Sequence, residues 1–89
     1  MNLEKLVKSA QNNNPDALEE LLKRFYKMAT GYAYSLLGDF DTVEDVVQES
    51  IVDVCCNIQK LKIPNAFPAW FKKIIYNNAN SHCRKRPVS

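Results

Sequence analysis

The chain has 89 residues, 46% of them hydrophobic, with 12 basic and 10 acidic side chains for a formal charge of +2, only two glycines and one histidine. A chain this short forms one domain that buries roughly 60–65% of its unfolded surface, and its apolar content excludes a disordered tail. Its first twenty residues carry polar Gln11-Asn12-Asn13-Asn14 and no run approaches the ~18 apolar residues of a membrane span, so neither a signal peptide nor a spanning helix is expected.

Leu3, Leu6, Val7 and Ala10 fall on one helical stripe that the polar Asn12-Asn13-Asn14 breaks, so a short first helix is predicted over Leu3 to Gln11. Asn14-Pro15 starts the next: an Asn side chain caps free amides, and proline fits the first turn, where no amide bond is lost. Leu18, Leu21, Leu22, Phe25, Met28, Ala29, Tyr32 and Leu36 then keep one face apolar as far as Gly38. Asp41 to Glu44 reads D-x-x-E, a capping arrangement for a third helix whose stripe is Val43, Val47, Ile51 with Ser50, Val54, Ile58 and Leu61. Its β-branched residues do not alternate, and the run is too long for a strand. Pro64 and Asn65 interrupt. Pro68 suits the first turn of a last helix marked by Phe67, Trp70, Phe71, Ile74, Ile75, Asn78 and His82, which ends before Pro87. Joined by loops of about three to six residues, these helices bury their stripes only against one another. The expected fold is all-α, a small bundle of three main helices with a short N-terminal helix, forming a single domain over residues 1–89.

Charge is divided along the chain. Asp39 to Asp53 holds six carboxylates (Asp39, Asp41, Glu44, Asp45, Glu49, Asp53) and no Lys or Arg, whereas beyond Asp53 stand Lys60, Lys62, Lys72, Lys73, Arg84, Lys85 and Arg86 with no carboxylate. Two partners of opposite charge are the simplest reading. Trp70, Lys73, Tyr76, Asn77, Asn80 and Arg84 fall along one side of the last helix. That mixture suits nucleic acid: cations neutralise phosphates, aromatics accept stacked bases, and an Asn amide offers a donor and an acceptor to a base edge.

Catalysis has no footprint, because the chain carries no glycine-rich loop, no nucleophile with its base and no metal-ligand spacing. Three cysteines, Cys55, Cys56 and Cys83, cannot all pair within one chain and imply a reducing cytoplasm. A zinc site would have to join Cys55, Cys56, His82 and Cys83, and adjacent helical residues diverge by about 100°, which suits a ligand pair poorly. No metal or cofactor is expected. His82, late on the last helix, either meets phosphate or packs without function, and the second reading is preferred.

Leu18-Glu19-Glu20-Leu21 with Phe25-Tyr26, then Asp41-Thr42-Val43-Glu44-Asp45-Val46-Val47-Gln48-Glu49, then Phe67-Pro68-Ala69-Trp70-Phe71 with Ile74 and Asn77, resembles the promoter −10 domain (region two) of bacterial sigma factors, most closely the extracytoplasmic-function group. The resemblance runs from about Leu6 to Arg86. It implies that Asp45, Gln48 and Glu49, with Asp41 and Glu44 in the same acidic segment, contact the clamp helices of the RNA polymerase β′ subunit. It also implies that the loop from Lys60 to Ala66, with Lys62 and Asn65, and the helix bearing Trp70, Lys73, Tyr76, Asn77, Asn80, Arg84, Lys85 and Arg86 recognise the −10 element and help to melt it. A flipped base of the non-template strand would be held there, since stacking is worth about 1–3 kcal/mol per base against a few kcal/mol to open a pair. Tyr76 stands where the family usually has a cation, which either removes a phosphate contact or adds a stacking one. The family's −35-reading domain does not occur in this chain, which is therefore expected to be either an excised domain or a small protein with a separate partner. An anti-sigma factor is a further candidate partner. Two rival readings are a helix-turn-helix-like regulator of double-stranded DNA and a module that engages only polymerase or an anti-sigma factor.

Overall fold

The computed structural model describes residues 2–85, with side chains through Cys83, as four helices in the order α1 (Leu3–Gln11), α2 (Pro15–Leu37), α3 (Phe40–Asn57) and α4 (Phe67–Lys85). The expected all-α bundle is what forms, and the helix starts follow from local chemistry. Asn2 Oδ1 accepts the Lys5 amide at 2.9 Å and opens α1. Asn13 turns the chain with a left-handed φ of 65°, a conformation that Asn tolerates better than most residues. Asn14 Oδ1 then accepts the amides of Asp16 and Ala17, and Pro15 occupies the first turn of α2, as its sequence predicts.

Gly38 closes α2 at φ 69°, donating its N–H to Tyr34 O at 2.8 Å. Here the capping expectation is corrected: Asp39, not Asp41, is the N-cap of α3. Its Oδ1 accepts the Asp41 amide, and Thr42 Oγ1 donates to its Oδ2 at 2.6 Å. Because the left-handed glycine completes the reversal at once, α3 begins two residues sooner and the α2–α3 connection is only Gly38 and Asp39. The α3–α4 connection is correspondingly longer than expected. It covers residues 58–66 and contains two single 3₁₀ turns, Ile58–Lys60 and Pro64–Ala66.

The core is built from facing stripes. Val43, Val46, Val47 and Val54 of α3 and Phe67, Phe71, Ile75 and Ala79 of α4, all essentially buried, share one core cluster, to which α1, packed on α2 and on the α3–α4 connection, adds Leu6, Val7 and Ala10. Small residues on α2, Ala29 and Ala33, let neighbouring helices come close. Phe67 anchors an aromatic cluster, its ring centroid 5.3 Å from Phe25, 5.6 Å from Phe71 and 6.0 Å from Trp70. Leu36 departs from its expected place in the α2 stripe. It is exposed, and Ala33 and Leu37 supply the inward contacts of the last turn.

Candidate functional site

Steps of three and four along α3 put Asp41, Glu44, Asp45 and Gln48 on one outward surface, which Val52, 57% exposed, extends. Glu49 is exposed at its edge and meets a partner: its Oε1 lies 3.1 Å from Nε2 of His82 on α4. The histidine thus faces the acidic helix. The two ends of the six-carboxylate run are tied into the fold. Asp39 caps α3, and Asp53 Oδ2 accepts from Asn78 Nδ2 at 2.9 Å.

The aromatic Phe40 lies outside both the apolar stripe and the acidic set, and the sequence reading passed over it. It is 71% exposed, and its ring stacks on Tyr34 of α2 with centroids 4.5 Å apart. With Tyr26, Thr30, Val43, Glu44 and Val47 it lines an open groove beside the carboxylates. A bulky aromatic between two aspartates, where no helical stripe requires it, was the available signal.

On the other side of α3 its C-terminal end and α4 enclose a cleft of about 420 Å³ lined by Asp53, Asn57, Lys60, Trp70, Ile74, Asn77 and Asn78. Three of the expected nucleic-acid residues, Lys60, Trp70 and Asn77, are brought together there. Trp70 is half-buried, so one part of the indole packs near Phe67 while another faces the cleft. Lys73 and Tyr76 are exposed and Asn80 half-buried on α4, outside the cleft lining. Lys62 and Asn65 are exposed on the connecting loop, together with Ile63 at 66% exposure. Lys72 is directed elsewhere, its Nζ 5.5 Å from the centroid of the Tyr32 ring. Arg84 and Lys85 end α4 with side chains outside the described residues, and Arg86 lies outside them altogether.

The cleft therefore offers a flat aromatic edge, one cation, one carboxylate and three amides within a single concave surface. Such a set suits a planar, hydrogen-bonding ligand with an attached anion. Cys55, exposed near the end of α3, has its thiol pushed up from the ordinary range, first by burial and then by the neighbouring Cys56. Among the described residues no group of three His, Cys, Asp or Glu side chains is arranged to hold a metal ion, and no helix is long and apolar enough to cross a membrane.

Compared with known families, residues 21–87 match Sigma-70 region 2. The chain belongs to the sigma-70 region 2 family. This is a transcription-initiation family and not an enzyme family, and the match includes α3, the connecting loop and α4. Curated relatives are of the extracytoplasmic-function type. The chain is 24% identical to the ECF RNA polymerase sigma factor SigW of Bacillus subtilis (strain 168), over 86 residues that cover 97% of this chain and 46% of that protein. It is 31% identical to the ECF RNA polymerase sigma factor EcfG of Rhodopseudomonas palustris (strain TIE-1), over 71 residues that cover 80% of this chain and 39% of that protein. The chain thus spans less than half the length of either relative. No solved structure matches it significantly.

Proposed function

We propose that this sigma-70 region 2 domain acts in the cytoplasm in transcription initiation, docking on RNA polymerase core through α3 and capturing promoter DNA through the α3–α4 loop and α4. The docking surface is Asp41, Glu44, Asp45 and Gln48 with Glu49 at its rim, and its target is the β′ clamp helices. The DNA element is the non-template strand of the −10 region. The single observation that carries this reading is the cleft joining Lys60, Trp70 and Asn77 within a family-matched segment. In it an unstacked base would lie against the indole, Asn77 would meet its edge, and Lys60 would approach a phosphate. Asp53 adds an acceptor suited to an exocyclic amine.

Binding to single strands with a randomised window, followed by comparison of the selected strand with its complement, tests the DNA half. The selected strand should bind at least tenfold better, and Trp70→Ala or Asn77→Ala should remove most of that preference, since stacking or one good base-edge contact is worth about 1–3 kcal/mol. Equal binding to any duplex, unaffected by either substitution, would overturn it. For the protein half, Asp45→Ala with Gln48→Ala should weaken a complex with a β′ clamp-helix fragment. An unchanged complex would remove the docking assignment, and an anti-sigma factor would then be the partner to examine at this face.

A further inference from the structure

Gln11 is the last residue of α1, yet its side chain serves another part of the chain. Its Nε2 donates to the carbonyls of Ile58 and Leu61, each at 2.8 Å and separated from it by 47 and 50 residues. Both acceptors belong to the place where α3 tightens into a 3₁₀ turn, and helix ends leave carbonyls without helical donors. The turn supplies one partner itself, because Ile58 O accepts the Leu61 amide at 3.2 Å. Gln11 brings the rest: one amide nitrogen with two protons satisfies two acceptors at once. Ile58 and Leu61 are buried and Gln11 half-buried, so these bonds are shielded from competing water. The second 3₁₀ turn, Pro64–Ala66, also packs against α1.

The loop is thus clamped from behind while its front stays open, with Lys60, Lys62, Ile63 and Asn65 all exposed. The geometry points to Gln11 as the positioning residue of the nucleic-acid loop, holding residues 59–66 in their reading conformation before a strand arrives. A preorganised loop does not spend binding energy on its own ordering, and a fixed surface penalises an ill-fitting base that an adaptable one would accommodate. The inference rests on the proposed DNA reading, and it concerns a residue outside the family-matched segment 21–87.

The test uses the 89-residue chain. Gln11→Met keeps length and shape but has no donor, and Gln11→Glu sets an acceptor against two carbonyls. Each should speed amide hydrogen exchange across residues 59–66 and lower the affinity ratio between selected strand and complement by about tenfold, the effect of losing two hydrogen bonds of ordinary strength. Binding to the clamp-helix fragment should not change. Asn2→Ala, which removes the N-cap at the end of α1 opposite Gln11 and touches neither of the two clamp bonds, is the control for simple destabilisation and should preserve the ratio. A wild-type ratio in Gln11→Met, or an equal loss in Asn2→Ala, overturns the positioning role. Should the Met variant not fold, Gln11→Glu carries the test, since protonating it at low pH returns one of the two donors and should narrow the excess of its loop exchange rate over that of wild type measured at the same pH. No such recovery also counts against the clamp. A wild-type chain that does not distinguish selected strand from complement would instead overturn the DNA reading, and the clamp's purpose with it.

Discussion

Asn78 Nδ2 lies 2.9 Å from Oδ2 of Asp53, so the last carboxylate of the acidic run is held by the helix that carries the basic residues. The same amide donates to Ser50 Oγ at 3.0 Å, and Ser50 passes its own proton to Val46 O at 2.8 Å. Two donor groups therefore make three hydrogen bonds at the α3–α4 seam, two of them crossing it. Asn78→Ala should lower the unfolding free energy by about 1–3 kcal/mol, the cost of leaving a shielded acceptor unmade. Asn78→Asp should cost more near neutrality by facing Asp53 with a like charge. Two facing carboxylates raise the affinity of the folded state for a proton, so the stability gap to wild type should narrow as pH falls. Urea unfolding at two pH values measures both.

Lys72 and Lys73 are adjacent in sequence and differ in setting, one over the Tyr32 ring and the other exposed. With about four phosphates neutralised, the logarithm of single-strand affinity should fall against the logarithm of salt with a slope near −3. Lys73→Ala should reduce that magnitude by about 0.7, and Lys72→Ala should leave it unchanged. Equal reductions would extend the DNA track onto the α2 side of α4.

Cys55 offers a pH reading. Burial and Cys56 hold its thiol above the ordinary range, so its thiolate fraction near neutrality is depressed and its alkylation should be slow. Raising the pH increases that fraction and should speed the reaction, because thiolate supply outweighs the small change in intrinsic nucleophilicity. Burial is the larger cause, so Cys56→Ser should leave most of the delay in place. Mass-spectrometric rates with iodoacetamide check this, and a Cys55 rate fully restored by Cys56→Ser would reverse the order of causes.

The helices were legible because their signals are local. Asn14-Pro15, Gly38 and the stripe Phe67, Phe71, Ile75 act within one or two turns of themselves, and the structure follows them. Gly38 also explains the misplaced α3 cap: a left-handed glycine finishes the reversal in one residue and delivers Asp39, not Asp41, to the capping position. The site was legible only in part. Lys60, Trp70 and Asn77 gather in one cleft, but charge counting could not tell surface carboxylates from Asp39 and Asp53, whose partners are fixed by backbone geometry and by a side chain 25 residues away. Gln11 and the Glu49–His82 contact were hidden for the same reason, each depending on packing between distant segments.

On α2, Lys23 pairs with Glu19 at 2.9 Å and Arg24 with Glu20 at 3.2 Å, each one turn apart and solvent-exposed. As stabilising bonds such solvent-screened pairs count for little. Their larger consequence is rotational. With these four α2 charges paired in place, α2 dilutes less the division between the carboxylates of α3 and the cations of the loop and α4. Within about one Debye length of a polyanion, roughly 8 Å in physiological salt, that division would turn the carboxylates away. On the proposed DNA reading, orientation would then be selected during approach, before the first hydrogen bond to DNA has formed.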